Sequence, residues 1–107
     1  MEPLDWGLLR EQCAGDESLV SEVVDLYRRE WAALFHDVQQ AVAAGDLPTM
    51  RRSAHRLKGA LLSLAASPSA SLAQRLELEA AALPGESLKA LLAELKNELS
   101  RLAAAIN

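Results

Sequence analysis

One short run of this sequence concentrates its reactive side chains: Arg51-Arg52-Ser53-Ala54-His55-Arg56-Leu57-Lys58-Gly59. A large fraction of an imidazole is uncharged near neutral pH, so His55 has a nucleophilic lone pair available. If the run is helical, at about 100° per residue, Leu57, Leu64, Met50, Leu61 and Ala54 cluster on one side and must face a core. His55 then points away from that core, into solvent. Arg51, Arg52, Lys58, Gly59, Leu62 and Ala66 fall within about 60° of it. Cations so placed suit a reaction in which negative charge develops on oxygen. Gly59 costs a helix about 1 kcal/mol relative to alanine; beside a surface histidine it removes bulk where another molecule can approach. Taken singly, a surface histidine, a basic helix face and a mid-helix glycine are ordinary features. Their combination is what points to chemistry.

Other chemistry finds little support. Cys13 is the single cysteine, which rules out a disulfide framework and a Cys-rich zinc site. It reads as a small packing residue. His36-Asp37 lacks further ligands at metal-binding spacing, so no metal is expected. No phosphate-cradling glycine loop and no kinase motif is present, so autonomous ATP chemistry is not expected. A formal net charge of -4 and 4% aromatic residues argue against nucleic acid as a partner. No segment approaches the roughly 18–20 apolar residues of a membrane span. Met1 to Trp6 carries neither the basic nor the apolar region of a secretory signal, and a cytoplasmic location is expected.

The elements that must position His55 are legible from punctuation. The 107 residues, 50% hydrophobic, suffice for a core, and a single domain over 1–107 is expected. Stop and start signals pair at Gly15-Asp16, Gly45-Asp46, Ser67-Pro68 and Pro84-Gly85. They divide the chain into a short helix from Leu4 to about Cys13 and four longer ones. The second runs from about Glu17 to Ala44, capped by Asp16. Its stripe is Val20, Val23, Val24, Tyr27, Trp31, Leu34, Phe35, Val38 and Val42. The third spans Leu47 to about Ala66, capped by Asp46. The fourth, capped by Ser67, runs to about Leu83. The fifth runs from Ser87 to about Ala105. Short links favour antiparallel neighbours. The predicted fold is therefore all-α: an up-down four-helix bundle with a short additional N-terminal helix, expected to be monomeric.

His55-Arg56-Leu57-Lys58-Gly59-Ala60 resembles the His-x-Leu-Lys-Gly-Ala signature of histidine-containing phosphotransfer (HPt) domains. Ala54 matches the alanine before it, and Gly45-Asp46 the loop that introduces the phosphorylated helix. Leu76-Glu77, Tyr27, Leu4-Asp5 and Gly15-Asp16-Glu17 match further family features. The chain departs from the pattern at Leu61, where small residues are common, at Ala65, where glycine is usual, and at Ser69, where leucine is typical. These changes bear on packing and helix-end geometry between the third and fourth helices.

The resemblance implies a phosphorelay intermediate. His55 would accept a phosphoryl group from a receiver-domain aspartyl phosphate and pass it to another receiver. Partners would be response-regulator receivers and the receiver of a hybrid sensor histidine kinase. Lys58 would stabilise the phosphoryl group, with Mg²⁺ needed only on the partner's carboxylates and no cofactor here. Arg51, Arg52, Gly59, Leu62 and Gln74 would meet the partner. In chemotaxis-type relatives an acidic side chain at the offset of Glu77 hydrogen-bonds the imidazole Nδ1. Glu77 is thus a candidate imidazole orienter, the alternative being a solvated helix charge, paired where it can be with a surface cation such as Lys58. Gln74, one turn earlier, could assist or substitute. A phosphate-independent helical adaptor and a helical dimerisation module remain the competing readings.

Overall fold

The computed structural model describes residues 2–106, and every regular element among them is helical: α1 Trp6–Gln12, α2 Glu17–Ala44, α3 Leu47–Ser63, α4 Ser67–Glu79 and α5 Gly85–Ala105. α2 to α5 form the four-helix bundle, α3 packing on both α2 and α4, and α5 closing the ring against α4 and α2. α1 lies across one end. At about 1.5 Å per residue, the 28-residue α2 spans about 42 Å, which accounts for the longest dimension of 42 Å.

The helix starts follow the capping chemistry. The Asp16 carboxylate accepts from the Ser18 and Leu19 amides, and Asp46 from the Thr49 amide, satisfying donors that a first helical turn leaves unpaired. α2 stops where Gly45 adopts φ +65°, a left-handed conformation that a glycine takes without steric cost. Met50, Ala54, Leu57 and Leu61 of α3 are buried, against Leu76 and Ala73 of α4, Leu91, Leu95, Leu99 and Leu102 of α5, and Val20, Val24, Tyr27, Phe35 and Val38 of α2. Val23, Trp31, Leu34 and Val42 are only partly buried at the edge of this core.

Several boundaries differ from expectation. α1 is shorter than Leu4 to Cys13; both of those residues are nevertheless buried. α3 ends at Ser63 rather than near Ala66, so Ala66 is fully buried in the following turn and does not share the exposed face of His55. Ser67 is not the cap of α4. Ala66 occupies that position without a side-chain hydrogen bond, and Ser67 and Pro68 lie inside the first turn. α4 stops at Glu79, four residues before Leu83, and α5 starts at Gly85, before Ser87.

The departures at Ala65 and Ser69 have a structural counterpart. Ala65 sits at φ +56°, in the left-handed region where glycine is at home and a Cβ is penalised. Ser69 is buried, its hydroxyl donating to the Ala66 carbonyl at 3.4 Å. The turn after α3 thus holds an alanine in a conformation that suits glycine.

Candidate functional site

α3 contributes most of the site. Its sequence, Leu47 to Ser63, holds Arg51, Arg52, Arg56 and Lys58 and no acidic residue, within a chain of net charge -4. The apolar stripe fixes its rotation: Ala54 and Leu57 are fully buried, so the His55 side chain between them is 66% exposed.

α4 brings one carboxylate to this face. Glu77 Oε2 lies 3.0 Å from His55 Nδ1, and Oε1 lies 2.8 Å from Lys58 Nζ. The Lys58 contact is a close charge pair set off the ideal hydrogen-bond line. Glu77 therefore contacts the imidazole and the Lys58 ammonium in one geometry, and at 19% side-chain exposure it is not the solvated helix charge of the alternative reading. The Lys58 ammonium holds the Glu77 carboxyl below its usual range; partial burial opposes this, and the His55 hydrogen bond reinforces it. A charged carboxylate accepts a proton but donates none, so it selects the imidazole tautomer protonated at Nδ1. The Nε2 lone pair is then left on the other side of an exposed ring.

Around this triad the face is open. A Cβ added at Gly59 would meet nothing within 4 Å. Packing inside the molecule therefore gives no reason for a glycine there. Leu62, two turns beyond His55, is 52% exposed. Arg51, Arg52 and Gln74 are exposed as well, and Arg52 donates to the Thr49 hydroxyl at 3.2 Å. Gln74 makes no contact with the imidazole that would rival Glu77's.

Two apolar features escaped the sequence reading. Leu78, next to Glu77, is 66% exposed. A wheel centred on Leu76 puts it about 200° away, on the outer face of α4, and that signal was available. Val23, Leu26, Tyr27 and Leu34 of α2 line a cleft of about 210 Å³ with Ala60 and Ser63 of α3. Leu26 at its edge is half exposed. This cleft depends on how α2 and α3 meet, which no single helix reveals.

Elsewhere the expected candidates stay apart. Cys13 is buried and free, and His36 is exposed on α2. Among the described residues, no group of three or more His, Cys, Asp or Glu side chains converges to hold a metal ion. Among the same residues, no helix is long and apolar enough to cross a membrane.

Fold and site together define a helical bundle that presents one oriented, solvent-facing histidine in a basic surface. Comparison with known proteins gives that class its family. The family model for the Hpt domain matches residues 22–105. The crystal structure of the HPT domain from an Hpt sensor hybrid histidine kinase of Shewanella is similar over 97% of this chain and 90% of that one. Its TM-score is 0.82 and its sequence identity 25%. No match emerges among curated proteins. The chain belongs to the Hpt domain family, and its role is histidine phosphotransfer in two-component phosphorelay signalling.

Proposed function

We propose that His55 is the phosphoacceptor of this domain, taking a phosphoryl group from a receiver's aspartyl phosphate and delivering it to the aspartate of a second receiver. One observation carries the assignment: His55 is largely exposed while its Nδ1 is engaged by Glu77 at 3.0 Å. The second histidine, His36, has no such partner among the contacts of the described residues.

In the forward step the Nε2 lone pair attacks phosphorus. The bond between phosphorus and the aspartyl oxygen breaks, and the aspartate leaves as a carboxylate. The ring gains positive charge as the N–P bond forms, and its Nδ1 proton stays hydrogen-bonded to Glu77. Lys58 lies beside the ring, where its ammonium can turn toward the transferred oxygens as their charge approaches. Delivery to the second receiver runs the same steps in reverse. Any Mg²⁺ is held by the receiver's carboxylates. The domain supplies no ATP site and acts as a carrier rather than as a kinase.

The receiver docks over Gly59 and Leu62, with Arg51, Arg52 and Gln74 at the rim of the contact. The open space at Gly59 and the exposed apolar side chain one turn on support this placement. Mixing the chain with receivers charged with radiolabelled phosphate tests the reading. Label should appear on wild type, be acid-labile and alkali-stable, and vanish in His55→Gln. Equal labelling of His55→Gln rejects the assignment. Failure to label wild type with any charged receiver favours a phosphate-independent adaptor.

A further inference from the structure

α1 lies outside the residues matched by the family model, yet it fastens the end of the histidine-bearing helix. The Gln12 side-chain amide donates to two carbonyls at the end of α3, Leu62 at 3.3 Å and Ser63 at 3.1 Å. From the other end of α1, the Asp5 amide donates to the Ala65 carbonyl at 3.0 Å. Ala65 is the strained residue of the turn joining α3 to α4. Leu4, Leu9 and Cys13 are buried and anchor α1 to the core. α1 thus spans the turn like a clasp, gripping both its helical side and its left-handed side.

That turn lies between the two halves of the site. His55 precedes Ala65 by ten residues, and Glu77 follows it by twelve. At about 1.5 Å per residue these are arms of roughly 15 and 18 Å. A change of about 5° between the helices, hinged at the turn, would move Glu77 relative to His55 by roughly 1.5 Å. The 3.0 Å hydrogen bond between them does not survive such a movement. An alanine held in a glycine's conformation has a standing tendency to relax, and the Gln12 and Asp5 hydrogen bonds oppose it.

We propose that Gln12 is a positioning residue: by clasping the end of α3 it holds the α3–α4 angle at which Glu77 orients His55. Its consequence for transfer rests on the phosphoacceptor reading above; its structural core does not. Gln12 itself is exposed and far from the reacting atoms, so it acts through the turn alone.

The test reads the His55 ring directly. The ¹⁵N shifts of the histidine ring nitrogens are recorded near pH 8 in wild type, Gln12→Ala, Gln12→Lys and Leu88→Ala, with His36 as internal reference. Wild type should show His55 mainly protonated at Nδ1. Gln12→Ala should move it towards the Nε2-protonated form and slow phosphoryl acceptance from a charged receiver by about threefold to tenfold. Gln12→Lys restores a donor to the carbonyls and should restore both readouts. Leu88→Ala lowers the thermal midpoint from half-buried packing on α5 and should leave the His55 shifts in place. Wild-type shifts in Gln12→Ala, or equal displacement in Leu88→Ala, would overturn the proposal. Loss of transfer in wild type would defeat the phosphoacceptor reading while leaving the nitrogen shifts to decide on Gln12.

Discussion

Glu77 reaches His55 across 22 residues of sequence and meets its Nδ1 at 3.0 Å, while the other oxygen of the same carboxylate pairs with Lys58 at 2.8 Å. The carboxylate is mostly buried, at 19% side-chain exposure, and the imidazole mostly exposed. One anion therefore engages the ring and an ammonium at the same time.

Glu77→Ala removes the orienting hydrogen bond without opening the core. Phosphoryl acceptance should slow by about tenfold, as expected for one lost bond of roughly 1–1.5 kcal/mol. Stopped-flow transfer from a charged receiver checks this, with helicity monitored by circular dichroism. An unchanged rate removes Glu77 from the mechanism.

Gly59 separates stability from docking. Since an added Cβ meets nothing, Gly59→Ala should raise unfolding stability by about 1 kcal/mol. Gly59→Gln should stay folded yet accept phosphate more slowly from the same receiver, because its side chain would project into the proposed docking face. Denaturant titration and transfer kinetics on the two variants test both halves. A Gly59→Gln variant as fast as wild type misplaces the docking face.

Ala65→Gly should stabilise the chain. The left-handed conformation costs a side-chain-bearing residue roughly 1–2 kcal/mol, and the greater freedom of glycine in the unfolded chain returns about half of that gain. A net increase of roughly 0.5–1 kcal/mol in urea unfolding is the expected result. Destabilisation would show that the Ala65 methyl contributes more by packing than its backbone costs.

The pH dependence follows from two carboxyls. Lys58 chiefly lowers the Glu77 pKa in the folded chain, and the hydrogen bonds from Thr49 lower that of Asp46. A depressed folded pKa stabilises the fold fully above the unfolded value, 4.5 for Glu77 and 3.8 for Asp46. That contribution is lost as pH falls through the lower folded values. Thermal midpoints should therefore fall below about pH 4.5. Lys58→Met should weaken the part due to Glu77, and Thr49→Val the part due to the Thr49 hydroxyl at Asp46. If neither variant alters the acid limb, these pairings are not what shapes it.

An α3 without acidic residues should make association with a receiver salt-dependent. With Arg51, Arg52, Arg56 and Lys58 on it, encounter with an acidic receiver cleft should slow as ionic strength rises. Arg51→Gln should flatten that dependence. Transfer rates at low and high salt provide the measurement, and a rate indifferent to salt removes the steering role.

Local pattern was enough to read much of this protein. Apolar residues at three- and four-residue steps define the helices, and the rotation of α3 that exposes His55 follows from Ala54 and Leu57 on either side of it, because helical periodicity is a property of neighbouring residues. Asp16 and Asp46 were recognisable as caps for the same reason: a cap bonds amides only two or three residues away. The end of α3 was not legible, since the chain stops being helical at Ser63 where Ala65 turns left-handed, and alanine is a good helix former that carries no stop signal. Tertiary structure alone decided that Glu77 serves His55 and Lys58 together, and that Gln12 grips Ser63 across 51 residues. Those meetings depend on the angle at one strained turn and on how α1 lies over it. Periodicity along a single helix contains neither quantity.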